Sequence, residues 1–212
     1  AVISPDRSLL AFVGLLGEIK LYNISDSSLT TLRNSKEEYF SASDAAISFS
    51  PDSKSIAVGL KNGRIELIDI ETGDIATLDR DHKNRVSSIT YGKGNFEIYA
   101  GYETGEILLW NLLTKKHQLI VTENDEISNI SYLNSSSNII YSSSNKVVIY
   151  DVFSKSKKNL LEHSSSVSGI ALSPCNSFLL SASEKGEIKR THIPTKTTET
   201  ILWQRFRINS LS

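Results

Sequence analysis

Apolar and polar positions alternate along this chain in short runs, and one run returns five times. It opens on glycine or asparagine, alternates through a few apolar residues, and closes on an aromatic or apolar residue followed by a polar one. The copies are Gly17-Glu-Ile-Lys-Leu-Tyr-Asn23, Gly63-Arg-Ile-Glu-Leu-Ile-Asp69, Gly105-Glu-Ile-Leu-Leu-Trp-Asn111, Asn145-Lys-Val-Val-Ile-Tyr-Asp151 and Gly186-Glu-Ile-Lys-Arg-Thr-His192. From first residue to first residue they step by 46, 42, 40 and 41 positions. The β-branched and aromatic content of these runs predicts strands. No stretch carries the apolar stripe of an amphipathic helix.

A second predicted strand lies about ten residues before each copy, a spacing read against the repeat period. These strands are Leu9–Gly14, Ser55–Leu60, Glu97–Tyr102, Asn138–Ser144 and Phe178–Ser183. A third precedes it, as in Ala45–Ser50 before Pro51-Asp52 and Val167–Ser173 before Pro174. After each copy a turn such as Glu71-Thr-Gly73 or Thr114-Lys-Lys116 leads to a fourth. Gly, Pro, Asn, Ser and Asp fill the turns because they tolerate or pre-set turn dihedrals. Four short strands every 40–45 or so residues is the period of a propeller blade.

The five copies resemble the WD-repeat family, and the resemblance covers essentially the whole chain. Trp110 keeps that family's tryptophan, followed here by Asn111 in place of aspartate; Tyr22, Ile68, Tyr150 and Thr191 hold the equivalent place. Asp69 and Asp151 keep the aspartate that follows it, and the family's Gly-His pair is reduced to His82 and His163. The resemblance implies an all-β fold of four-stranded antiparallel blades. Five blades are visible, at approximately 1–34, 35–80, 81–122, 123–162 and 163–203, with 204–212 as the first strand of a further or closing blade. It also implies structural roles for Trp110, Tyr22, Tyr150, His82, His163, Asp69 and Asp151. His163 is expected to bond Ser181 or Ser183, with the later members of the family's hydrogen-bond network missing from that blade.

A single blade cannot bury both faces of its sheet, so it needs neighbours on each side. Inner strands are then apolar on both faces, as Ile107-Leu-Leu-Trp110 and Val147-Val-Ile-Tyr150 are. Arg207-Ile-Asn-Ser-Leu-Ser212 matches Arg85-Val-Ser-Ser-Ile-Thr90, and Ala1-Val-Ile-Ser-Pro-Asp6 matches Ile47-Ser-Phe-Ser-Pro-Asp52. Two arrangements satisfy these matches. The chain is a segment of a larger ring of about seven blades, or its last strand closes onto the first blade in a five-bladed ring.

Composition narrows the chemistry. The 212 residues carry a net charge of -1, so any charged surface is local. The single cysteine, Cys175, excludes an intrachain disulfide and suits a reducing compartment, hence an intracellular location, cytoplasmic or nuclear. Apolar runs are too short for a membrane-spanning helix, and no signal-peptide pattern opens the chain. None of His82, His117, His163 and His192 has zinc-ligand spacing. His163-Ser-Ser-Ser166 lacks a nucleophile elbow, and Gly92-Lys-Gly94-Asn95 is too short for a phosphate loop and leads into a strand. Asp125-Glu126 and Glu37-Glu38 read as solvated pairs. No catalytic residue, cofactor or metal ligand is expected.

Loops sort by face, because alternate turns of a blade emerge on opposite sides. The side with fourth-to-first and second-to-third connections holds Glu37, Glu38, Asp79, Asp81, Glu103, Glu123, Asp125, Glu126, Glu162 and Glu184, with Lys36, Lys61, Arg80, Lys83 and Lys185 among them. In blades three to five the other side holds Lys93, Lys115, Lys116, Lys155, Lys157, Lys158 and Lys196, and its turns hold no acid. That lysine side is expected to face an acidic protein segment or RNA.

The function expected from the resemblance is a non-catalytic scaffold that joins other proteins in a complex. Three alternatives stand beside it. One is an RNA-associated ribosome-biogenesis scaffold. Another is a centrosomal adaptor recruiting γ-tubulin complexes, on the likeness of Asp81-His-Lys-Asn-Arg-Val86, Gly105-Glu-Ile-Leu108 and Ser168-Gly-Ile-Ala-Leu-Ser-Pro174. The third is a propeller enzyme whose site is completed by further blades.

Overall fold

The computed structural model describes residues 1–14, 17–34, 46–80, 83–204 and 208. Twenty strands and no helix are found there. Blade one holds β1 (Val2–Ile3), β2 (Leu9–Val13), β3 (Ile19–Asn23) and β4 (Leu29–Arg33). Blade two holds β5 (Ala46–Phe49), β6 (Ser55–Gly59), β7 (Ile65–Asp69) and β8 (Ile75–Leu78). Blade three holds β9 (Val86–Tyr91), β10 (Glu97–Tyr102), β11 (Glu106–Asn111) and β12 (Lys116–Thr122). Blade four holds β13 (Ile127–Leu133), β14 (Asn138–Ser143), β15 (Lys146–Asp151) and β16 (Ser156–Glu162). Blade five holds β17 (Val167–Leu172), β18 (Phe178–Ser183), β19 (Glu187–His192) and β20 (Thr197–Trp203).

Every blade is an antiparallel meander in chain order. The first strands of successive blades lie side by side, β1 against β5, then β9, β13 and β17. The blades are thus arranged as a propeller with first strands innermost. The repeat register holds: Tyr22 pairs with Leu10, Ile68 with Ile56, Trp110 with Ile98, Tyr150 with Ile139 and Thr191 with Leu179. Four residue types fill the place, tyrosine twice, yet all five face the same neighbour position.

Side chains alternate across each sheet, so one face of a blade meets the preceding blade and the other face the next. Four apolar clusters result, one per junction. Blades one and two share Ile19, Leu21, Phe49, Ile56 and Val58, and blades two and three share Ile65, Leu78, Val86, Ile98 and Trp110. Blades three and four share Tyr99, Ile107, Val121, Ile127 and Tyr141, and blades four and five share Val147, Leu161, Val167 and Leu179. Among the described residues no such cluster joins blade five to blade one. Closure through 204–212 falls on residues that, Gln204 and Ile208 apart, lie outside the described ones.

The third-strand opening glycine has a backbone reason. Gly17, Gly63, Gly105 and Gly186 have φ of 82, 82, 84 and 84°. A side chain at Gly105 would press on the Glu123 and Asp125 carbonyls of the next loop. Blade four uses a tighter turn and puts the left-handed residue one place earlier, at Ser144 (φ 52°).

Candidate docking surface

The lower face carries the first-to-second and third-to-fourth turns. In the latter, the last residue of strand three organises the bend. Asp69 Oδ1 accepts the Glu71 and Thr72 amides at 3.0 and 2.8 Å, and Asp151 Oδ1 accepts those of Phe153 and Ser154, both at 2.9 Å. Asn111 Oδ1 accepts the Thr114 amide at 2.9 Å. In blade five His192 Nδ1 and the Thr195 hydroxyl meet at 2.7 Å in its place. The aspartate retained at 69 and 151 is therefore a turn former. These amide bonds, first of all from Thr72 and from Ser154, hold both carboxyls below the usual carboxylate range.

Four residues after that side chain the backbone turns left-handed. Gly73 holds the place in blade two with φ 75°, which costs glycine little. Lys115, Lys155 and Lys196 hold it in blades three to five, with φ of 55, 54 and 58°. A side chain there costs on the order of 1 kcal/mol or more. Two residues earlier the turn projects an apolar tip: Leu113 is 72% exposed, Phe153 82% exposed, and Pro194 is exposed as well. Blades one and two present Ser25 and Glu71 instead.

Lys93, Lys115, Lys116, Lys155, Lys158 and Lys196 are exposed, and among the described residues none of them is ion-paired. Lys158 and Lys196 meet across adjacent blades, and the Lys158 ammonium pushes the Lys196 pKa below the ordinary lysine value. Lys157 leaves the group: its Nζ donates to Glu123 Oε1 at 2.9 Å, where the Tyr141 hydroxyl also donates at 2.6 Å.

The upper side differs. Arg64 holds Asp79, Arg85 holds Glu103 and Glu126, and Lys157 holds Glu123. Much of the acidic excess predicted there is neutralised within the molecule. Glu37, Glu38, Lys36 and Asp81 lie outside the described residues.

His163 sits in the loop from blade four to blade five and is buried. Its Nε2 meets Ser181 Oγ at 2.8 Å and its Nδ1 meets Glu187 Oε2 at 3.0 Å. Ser181 is the partner, and Ser183 is not. The expectation that the later members are missing is corrected for the acid alone, since Thr191 stands in the tryptophan's place. Glu187 supplies the acid, also accepting the Ser164 amide at 3.0 Å and pairing with Lys189 at 3.1 Å. The signal was available: glutamate follows the module glycine at Glu18, Glu106 and Glu187. Glu106 likewise reaches back across a junction to Arg80 at 2.6 Å.

Serine, imidazole and carboxylate in line look like a nucleophilic triad. Ser181 and His163 are sealed in the interior, so this hydroxyl has no path to a substrate, and the cluster fastens the loop to the blade. Trp110 is fully buried, its ring 4.5 Å from that of His117, and Tyr150 is buried in the junction of blades three and four. Tyr22 is half-buried on a flank of blade one that no other blade covers among the described residues, and His82 lies outside the described residues.

Two sequence profiles match. Residues 154–189 match the WD domain, G-beta repeat, and lie within blades that keep its strand order. The chain belongs to the WD-repeat family. The profile of the anaphase-promoting complex subunit 4 WD40 domain matches residues 2–94 of this WD-repeat protein. The chain is also similar to the meiotic recombination protein rec14 of Schizosaccharomyces pombe, 27% identical over 113 residues, which cover 53% of the chain and 36% of rec14. The match thus spans about a third of that relative's length.

Proposed function

We propose that this WD-repeat protein is a non-catalytic scaffold, and that an acidic partner docks on the lysine turns of blades three to five. One observation carries the reading. Three successive blades keep a lysine in a left-handed position that disfavours it, on a face where none of those lysines has an acid partner among the described residues. Blade one places Ser27 at the same left-handed position (φ 58°), so what repeats in blades three to five is the choice of lysine there. Clustered cations without internal partners speed encounter with an acidic surface.

The two comparisons agree with a role inside an assembly. One matched profile is of a subunit of a complex, and the similar protein is named for meiotic recombination. Which complex this chain serves is a matter for the partner.

Reversing Lys115, Lys155 and Lys196 to glutamate tests the reading in a binding assay with the purified partner complex. The triple variant is expected to lose at least about ten-fold in affinity, more so at low salt. Unchanged affinity in a variant with the parent melting temperature would remove the lower face from the account.

A further inference from the structure

The exposed turns carry more than charge. Leu113, Phe153 and Pro194 occupy one position in three consecutive blades, each two residues before its left-handed lysine. The capping bonds described above aim them outward, and the two larger ones are 72% and 82% exposed. One exposed apolar side chain is ordinary, but apolar side chains gathered on one face mark an interaction surface. Here they repeat with the blades, and each is flanked by ammonium groups: Lys115 and Lys116, Lys155 and Lys158, and Lys196.

We infer that this arc binds a protein segment in which acidic residues are interspersed with apolar ones. The carboxylates meet the lysines, and the apolar residues cover Leu113 and Phe153. This rests on the lower-face reading given above and names its partner class. Charge complementarity selects an acidic occupant. The tips then discriminate among acidic occupants. Only Phe153 among them is aromatic, whereas single-stranded RNA is held by successive aromatic platforms. The cations are all lysines, without the planar arginine fork that grips phosphate in two places. The same face turns acidic in blades one and two, with Asp26, Glu71 and Asp74 in the equivalent turns. A long phosphate backbone, or a planar anionic membrane, would meet those carboxylates. A short peptide confined to blades three to five meets one carboxylate in those turns, Asp151, whose Oδ1 already accepts the Phe153 and Ser154 amides.

The test compares four probes on the full chain: a short peptide alternating glutamates with leucines, a polyglutamate peptide of equal charge, a single-stranded RNA of equal charge, and phosphatidylserine vesicles. The mixed peptide is expected to bind tightest, at least about ten-fold above polyglutamate. Leu113→Ser with Phe153→Ser should erase that advantage and leave polyglutamate binding as it was. The charge reversal of Lys115, Lys155 and Lys196 should abolish both. Equal binding of the two peptides, or no effect of the serine substitutions, overturns the inference and leaves the lysine reading standing. Tighter binding of RNA or vesicles overturns it as well. Insensitivity to the charge reversal would defeat both readings together. Both tips are exposed, so the serine variants keep the fold; an unchanged melting temperature confirms it before binding is measured.

Discussion

Leu202 pairs with Ile188 across β20 and β19 as Val121 pairs with Ile107 across β12 and β11, yet Val121 is 5% exposed and Leu202 47%. The two leave the same backbone position and point to the same side of their blades. What differs is the neighbour. Blade four covers Val121, and among the described residues no blade covers Leu202. Burial here belongs to the junction and not to the residue type.

Equivalent substitutions should therefore have unequal effects. Leu78→Ala, in the same register position of blade two and 1% exposed, is expected to cost about 2–5 kcal/mol. Leu202→Ala in this chain should cost less than about 1 kcal/mol. Urea denaturation of the two variants checks this. A comparable loss for Leu202→Ala would mean that blade five's outer flank is covered after all.

His163 predicts a pH dependence. Burial is the main influence and lowers its pKa below the ordinary imidazole value, although the Glu187 carboxylate opposes this. Neutral His163 then donates from Nδ1 to Glu187 and accepts from Ser181 at Nε2. As pH falls, the unfolded chain takes up this proton first, which favours unfolding. Stability is full above about 6.5 and declines as the pH drops below it. Burial opposes ionisation of Glu187, but the Ser164 amide, Lys189 and His163 hold it ionised below its usual pKa, so it adds a further loss in more acidic solution. Melting temperatures measured from neutrality down to about pH 5 should fall, and His163→Gln should flatten that slope. A melting temperature that rises on acidification would reverse the assignment.

The legible part of this structure was the part fixed by local pattern. Alternation and the glycine-led module located the second and third strands of all five blades to within a residue or two, because a strand's faces follow from a period of two. The aspartates at 69 and 151 were recognised as a motif, but their turn-forming bonds were not. Glu187 escaped because its partner comes from a loop more than twenty residues earlier, and sequence spacing does not show which loops converge. Lys157 was grouped with the lower lysines by its turn, yet its long side chain reaches Glu123. The sequence reading assigned Leu113 and Phe153 no role, because residue type alone does not show that a turn holds an apolar side chain outward. Which of Leu202 and Val121 has a covering blade among the described residues was not legible, since both are apolar residues of a fourth strand.

Cys175 stands where blades one and two have Asp6 and Asp52 in their Ser-Pro turns. Ser4 and Ser50 donate to those carboxylates at 2.6 and 2.7 Å. Ser173 occupies the same place 3.3 Å from Cys175 Sγ, and with Ser177 it lowers the exposed thiol's pKa to about 7. Iodoacetamide alkylation should reach half its maximal rate near that pH, where an ordinary thiol needs about 8.5. Ser173→Ala should move the midpoint upward. A midpoint near the ordinary value in the parent protein would contradict the anion-accepting turn.

Replacing Lys115, Lys155 and Lys196 by glycine separates stability from binding. Glycine accepts the left-handed backbone, as Gly73 does in blade two, so melting temperature should hold or rise slightly. Partner affinity should fall. A lower melting temperature with intact affinity would show that the lysines serve the fold.

Lysine footprinting of the free protein and of its purified complex bears most directly on the docking claim. Acetylation of Lys115, Lys116, Lys155, Lys158 and Lys196 should slow on assembly, while Lys61 and Lys83, in upper connections, keep their free rates. Protection confined to the upper lysines, with the lower five unchanged, would contradict it.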